Sequence, residues 1–203
     1  RPEMKVERVS YDFITPSAAR GLLEAIYWKP AIKWVIDRIH VLRPIAFTNV
    51  RRNEVASKIS TSNVQQVMGG GSANLFIASN DDRQQRASMI LVDVDYLIEA
   101  HFIKTKDWGE RDTEEGHYNI VLRRLRNGQY FHAPCLGTRE FPARVELIER
   151  GSPVPQSALS GKQDFGWMLY DMDFSNRDDI RPIFFRATMQ DGIVDLSSVE
   201  VRA

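Results

Sequence analysis

Two long runs of alternating and β-branched residues limit what this chain can fold into. Residues 31–50, AIKWVIDRIHVLRPIAFTNV, read as one long strand or as two strands broken near Pro44. Residues 88–104, SMILVDVDYLIEAHFIK, read as a second long strand. In it Val92, Val94 and Tyr96 share one face, and Asp93 and Asp95 share the other, solvated face. A strand or extended arm is expected over 5–13, and further strands at about 142–149, 165–174 and 182–196, the last turning at Asp191-Gly192. Only two helical patterns compete with them. In TPSAARGLLEAIYWKP, Thr15 is an N-cap and Pro16 suits the first helical position. Ala18, Leu22, Ala25 and Ile26 recur at helical spacing, and Lys29-Pro30 ends the segment. The second pattern covers about 117–127 and closes on Asn127-Gly128. Few helices among many strands imply an α+β fold with a mostly antiparallel sheet, for which a ferredoxin-like core is one economical solution.

With 203 residues, 43% of them apolar, the chain can bury the core of one elaborated domain or of two small ones. Its formal net charge is zero, so no global field recruits a polyanion, and any such surface must come from local clusters. The single cysteine, Cys135, rules out an internal disulfide, reads as a structural thiol and fits a reducing cytoplasm. No apolar run approaches the ~20 residues that span a bilayer, and no signal-peptide pattern is visible. The chain opens with Arg1 rather than methionine. Residues 51–87 are polar, contain Gly69-Gly70-Gly71, and carry Arg51 and Arg52 near one end and Arg83 and Arg86 near the other. Composition alone favours a surface loop there; the alternative is a hairpin or finger whose basic base grips a phosphate backbone.

His40, His101, His117 and His132 are scattered without zinc-like spacing. The triple glycine lacks the lysine and the flanking strand and helix of a P-loop. The stretch EEGHYNIVLRRLRNG, residues 114–128, carries more information. Tyr118, Val121, Leu122 and Leu125 can face a core, leaving Arg123, Arg124 and Arg126 mostly outside that stripe. Arginines in a last helical turn complement the helix dipole, so they need no ligand to explain them. His117 falls at the other end, where free backbone N–H groups attract an anion. A histidine there suits RNA transesterification, by taking the 2′-hydroxyl proton or protonating the leaving 5′-oxygen. Residue type and spacing by themselves still favour a non-catalytic histidine.

Five segments in order, TPSAARGLLEAIYWKPAI, RPIAFTNVRRNEV, RQQRASMILVDVDYLIEAHF, QYFHAPCLGTREFPA and DFGWMLYDMDF, resemble the Cas-five subunit of type I-C CRISPR systems, the Dvulg subtype, over about residues 1–196. The resemblance implies a ferredoxin-like (RNA-recognition-motif) domain over 1–128 with a thumb-like insertion at about 51–87, followed by a smaller C-terminal β-sheet region over 129–203. It also implies a strand ahead of RPEMKVERVSYDFITP. The implied activity is that of a metal-independent, cofactor-free, cytoplasmic endoribonuclease. It would cut precursor CRISPR RNA at the base of the repeat hairpin. It would then stay on the 5′ handle beside the backbone and large subunits of the surveillance complex. Tyr27 matches the family's active-site tyrosine and His117 its histidine, while the lysine position holds Gly116; Lys104, Lys106, Arg123 and Arg124 are the candidate replacements for that cation. The arginines expected on RNA are Arg51, Arg52, Arg83, Arg86, Arg123, Arg124 and Arg126. Gly116 favours the alternative of a non-catalytic scaffold on the handle, and the basic clusters also leave double-stranded DNA open as a partner. Tyr27 has its own alternative, a helix residue held at a core edge by packing.

Overall fold

The computed structural model describes residues 7–176 and 178–202. Its elements are β1 (Arg8–Val9), α1 (Pro16–Ile26), β2 (Ile32–Val41), β3 (Ala46–Val55), α2 (Thr61–Met68), β4 (Arg83–Val92), β5 (Tyr96–Lys104), α3 (Glu114–Arg126), β6 (Lys162–Asp173), β7 (Arg181–Gln190), β8 (Ile193–Asp195) and β9 (Val201–Arg202). The fold is α+β, as the strand-dominated pattern requires. The chain divides into two compact units: the N-terminal residues to Ser10 with Phe47–Val92, and Tyr11–Ala46 with Asp93 onward.

The larger unit holds a sheet in the order β5-β2-β8-β7-β6, with β9 beside β7. β2 and β5 pair antiparallel from Ile32 opposite Lys104 to Val41 opposite Tyr96. β7 turns into β8 at Asp191-Gly192, where both φ angles are positive (50° and 78°). That conformation matches the right-handed strand twist of a two-residue hairpin, and Asp-Gly is the pair that adopts it cheaply. Thr15 caps α1 by accepting the Ala18 N–H, with Pro16 inside the first turn. Leu22 and Ala19 then turn toward a core that includes Phe13, Ile39, Met168, Phe185 and Val194. The succession α1–β2–β5–α3 is the frame that carries the candidate site.

The smaller unit is a three-stranded sheet in the order β1-β4-β3. β1 runs parallel to β4, with Arg8 opposite Ser88. Residues 51–87 are therefore neither a bare loop nor a simple finger. They hold the second half of β3, all of α2 and the first half of β4, and α2 buries none of its residues.

Three expectations change. The run 88–104 is not one strand: β4 ends at Val92 and β5 begins at Tyr96, in different sheets. Between them Asp93 sits at φ 52°, a left-handed conformation that aspartate tolerates better than most residues. Val-Asp-Val-Asp keeps its period of two straight through that break, so alternation could not reveal it. At Pro44, by contrast, the break is real. Over 142–149 only the bridge between Cys135 and Pro142 forms. Ala143 and Val145 pack on the core without a strand partner, so their alternation reflects packing and not a ladder. In 5–13 the strand is confined to Arg8–Val9, extended by the Ser10 N–H to the Met89 carbonyl at 2.9 Å; residues 5 and 6 lie outside the described residues.

Tyr96 packs against the main core, and burial pushes its phenol up to about 12, against a smaller opposing pull from a backbone hydrogen bond at Ile14. An unfolded tyrosine titrates near 10. Above that pH the unfolded chain gives up a proton that the folded one keeps, so stability declines as pH rises from about 10 toward 12. Urea midpoints should fall between about pH 10 and pH 12, and Tyr96→Phe should flatten that fall. An unchanged slope in the variant would place the alkaline loss elsewhere.

Candidate active site

α1 ends at Ile26, before the Lys29-Pro30 stop expected from sequence. Its C-cap, Tyr27, turns into extended backbone (φ −150°, ψ 118°). That turn drops the tyrosine ring into a small core with Ile26, Ile32, Trp34 and Val121, where only 2% of Tyr27 remains exposed. The Trp34 indole N–H donates to the Tyr27 carbonyl at 2.9 Å, which fixes the backbone beneath the ring.

α3 starts earlier than the pattern suggested. Thr113 is its N-cap, and the threonine hydroxyl accepts the Gly116 N–H at 3.1 Å. His117 is therefore inside the helix, with its own N–H bonded to the Thr113 carbonyl at 3.1 Å. The free-amide anion site expected at His117 does not exist, because both nearby N–H groups are used and Glu114 and Glu115 occupy the first turn. The inward stripe shifts accordingly. Tyr118, expected in the core, is 56% exposed, whereas His117 is only 6% exposed and lies one turn before buried Val121. An imidazole walled by aromatic rings packs like an apolar group: Trp108 lies 5.1 Å from it, centroid to centroid, and Phe102 6.1 Å.

Tyr27 and His117 are brought together. The phenol oxygen lies 2.7 Å from His117 Nδ1. Burial raises the Tyr27 phenol above its ordinary range; the Arg124 guanidinium opposes that shift, and the Asp112 carboxylate adds to it. The phenol thus keeps its proton at neutral pH and can donate it to Nδ1. The other ring nitrogen, Nε2, lies 3.2 Å from Asp112 Oδ1 and makes no aligned hydrogen bond. A carboxylate oxygen thus stands within reach of Nε2 without being hydrogen-bonded to it.

Two of the candidate replacement cations touch this cluster. The Arg124 guanidinium lies over the Tyr27 ring at 5.2 Å and donates to the Ile26 carbonyl at 2.5 Å. Lys104 sits over Trp108 at 4.8 Å, with its ammonium 2.8 Å from Glu114. Arg126 is engaged by Glu149 through two bonds of 2.6 and 2.9 Å, while Arg123 is exposed. A cleft of about 600 Å³ opens beside the end of α3, and Arg124, Arg126, Tyr130 and Arg144 are among its walls. The remaining four arginines belong to the three-stranded sheet. Arg51 and Arg52 are neighbours on β3 and so point to opposite faces. On β4, Arg83 donates to Asn80, and Arg86 lies 3.9 Å from Glu54. The candidate RNA-binding arginines thus form two groups, one on that sheet and one on α3.

Sequence reasoning missed Asp112 and Trp108. Both sit in the turn-rich segment before α3, and no period or motif marks them. Gly116 also changes meaning. A Cβ there would stand 2.7 Å from Thr113 Oγ1, so a side chain at 116 competes with the helix cap. A lysine introduced at 116 would bring a cation and disturb the cap together.

The sequence pattern of the Cas5d family, described as CRISPR-associated protein (Cas_Cas5), matches residues 1–196. The chain belongs to the Cas5d family. It is 52% identical over 200 residues to the CRISPR pre-crRNA endoribonuclease Cas5d of Mannheimia succiniciproducens, covering 97% of this chain and 88% of that protein. A protein of the same name from Thermus thermophilus is 38% identical over 213 residues, covering 97% of this chain and 85% of that one. Two solved structures share the fold. One, a CRISPR-associated protein, has a TM-score of 0.68 at 23% identity and covers 97% of this chain and 88% of its own. The other, a functionally uncharacterized protein from Streptococcus mutans, has a TM-score of 0.66 at 22% identity and covers 100% and 90%.

In this Cas5d chain the cap and residue 116 should be thermodynamically coupled. Thr113→Ala should cost about 1 kcal/mol. Gly116→Ala should be near neutral alone, because a helix-propensity gain of about 1 kcal/mol opposes the displaced cap. In the Thr113→Ala background the same change should stabilise by about that gain. Equal effects in both backgrounds, measured by urea unfolding, would show that the Cβ and the cap do not compete.

Proposed function

We propose that this chain is a pre-crRNA endoribonuclease whose chemistry is carried by Tyr27 and His117. The observation that carries the reading is the buried 2.7 Å bond between the Tyr27 hydroxyl and His117 Nδ1 in a chain of the Cas5d family. A phenol and an imidazole in contact form a proton-transfer pair. The reaction they serve is attack of a ribose 2′-oxygen on the adjacent phosphate, leaving a 2′,3′-cyclic phosphate and a 5′-hydroxyl. Arg124 supplies the cation that Gly116 does not. Its guanidinium lies on the Tyr27 ring and lines the cleft, and its hydrogen-bond acceptor is a neutral carbonyl. A phosphate in the cleft is a stronger partner than that carbonyl. It draws the guanidinium off the ring, which uncovers the buried tyrosine and places positive charge where the phosphorane forms.

The substrate is a repeat hairpin cut at its base. The deep, narrow groove of A-form RNA hides the base edges, so stem shape and the single-stranded flank carry recognition. After cleavage the protein stays on the 5′ handle, with Arg51, Arg52, Arg83 and Arg86 holding phosphates and the larger subunits of the surveillance complex as neighbours.

Cleavage of cognate repeat RNA should survive EDTA. His117→Ala should abolish cutting and leave RNA affinity nearly intact, and Tyr27→Phe should slow it by about 100-fold or more. A deoxyribose at the cut site should block the reaction. A folded, RNA-binding wild-type protein that leaves its cognate repeat uncut would sink the nuclease reading and favour the scaffold on the 5′ handle.

Replacing Arg51 and Arg52 together by alanine should weaken binding to all RNAs by a similar factor. It should also reduce the slope of log affinity against log salt by about 0.7 to 0.9 for each phosphate that the variant no longer neutralises. Titrations at several salt concentrations that give an unchanged slope would remove β3 from the RNA surface.

A further inference from the structure

Of the two His117 ring nitrogens, Nδ1 is bonded to the Tyr27 hydroxyl at 2.7 Å, and Nε2, buried and without a hydrogen bond, has Asp112 Oδ1 at 3.2 Å. A neutral imidazole carries one N–H and one lone pair. The proton on Nδ1 would leave the Nε2 lone pair against a carboxylate, which is repulsive. The proton on Nε2 turns N–H toward Asp112 and leaves Nδ1 to accept the tyrosine proton. Asp112 is itself held in place. Its Oδ2 accepts the Gly109 N–H at 2.8 Å, and its own N–H donates to the Gly109 carbonyl at 3.1 Å. The segment it lies on is anchored at its start, where the Thr105 N–H donates to the Ala31 carbonyl at 3.0 Å and its hydroxyl to the Pro30 carbonyl at 2.5 Å. The other charged groups around the ring stand one side chain further off: Arg124 behind Tyr27, and the Lys104–Glu114 pair behind Trp108. Among the described residues, Asp112 is the charged group that comes within 4 Å of the imidazole.

We propose that Asp112 is the positioning residue of a relay. Its carboxylate holds His117 as the Nε2–H tautomer, so that His117 acts through Tyr27 and the Tyr27 oxygen meets the ribose 2′-hydroxyl. The proposal rests on the active-site reading above and refines it. In the step, the 2′-hydroxyl gives its proton to the Tyr27 oxygen as the tyrosine proton passes to His117 Nδ1. The O2′–P bond forms, the P–O5′ bond breaks, and the leaving 5′-oxygen takes a proton from water. The imidazolium produced keeps the Asp112 carboxylate beside Nε2, where a small rotation aligns the hydrogen bond. The logic is that of a nucleophile, a base and a carboxylate that orients the base, with the RNA hydroxyl as nucleophile and a tyrosine between it and the base.

The test uses the full chain and cognate repeat RNA. Single-turnover cleavage and RNA affinity are measured for wild type, Asp112→Asn, Asp112→Glu, His117→Ala, Tyr27→Phe and the double variants Asp112→Asn/His117→Ala and Tyr27→Phe/His117→Ala. Nitrogen-15 spectra of the histidine side chains read the His117 tautomer independently of activity. The relay predicts that Asp112→Asn cuts at least about tenfold more slowly with unchanged affinity, that Asp112→Glu recovers part of the loss, and that neither double variant is slower than His117→Ala alone. Spectra should show Nε2–H in the wild type and lose that preference in Asp112→Asn. Wild-type rate and tautomer in Asp112→Asn, with His117→Ala and Tyr27→Phe inactive, would overturn the relay and leave the active site standing. Wild-type rates in His117→Ala and Tyr27→Phe would overturn the site reading and the relay's catalytic role together. Should Asp112→Asn unfold, the tautomer in wild type and Asp112→Glu decides: Nδ1–H in either overturns the proposal.

Discussion

The bond between the Tyr27 hydroxyl and His117 Nδ1 joins residues 90 apart in sequence, and it is buried. Two polar groups withdrawn from water must satisfy each other or cost the fold the desolvation of both. Several local features follow from that requirement. α1 must end at Ile26 so that the next residue turns inward, and the Trp34 bond to the Tyr27 carbonyl holds that turn. α3 must start early enough to take in residue 117, and with Thr113 as its N-cap His117 falls on the same inward face as Val121. Aromatic rings then close the space around the imidazole, and Asp112 faces the one polar atom they leave over.

Charge is distributed to a different end. The chain is neutral overall, and many of its arginines are answered by carboxylates: Arg20 by Asp171, Arg38 by Glu99 and Asp195, Arg126 by Glu149, Arg186 by Asp164. All of these but the half-buried Arg20–Asp171 pair are exposed and add little stability, but they lower the positive charge available to a polyanion. Arg124 differs in that the hydrogen bond holding it runs to a backbone carbonyl, so its charge is not cancelled by that contact. The count of basic residues in a segment therefore overstates what RNA would meet, and the identity of each arginine's acceptor is the better guide.

The short-range features were legible in the sequence. Thr15 with Pro16, Asn127 with Gly128, and Asp191 with Gly192 each specify a cap or turn through atoms a few residues apart, and each forms as expected. The balance of strands over helices gave the α+β class. Family resemblance supplied Tyr27 and His117. Residue pattern by itself placed His117 at a helix end with free amides and left it out of the core-facing stripe, and both judgements failed once the helix proved to start earlier. The error over Tyr118 has the same origin, because moving the helix start and burying an imidazole rotates the inward stripe.

What the sequence settled, then, was whatever local backbone chemistry settles: where chains turn, where helices cap, how many strands compete for a core. Tertiary structure decided the rest. It divided 88–104 between two sheets at Asp93, a break that alternation cannot show because the period of two survives it. It set Asp112 against His117, although the intervening residues carry no spacing that marks the pair. Such contacts depend on the direction in which separate elements present their side chains, and that direction is fixed only when the elements pack.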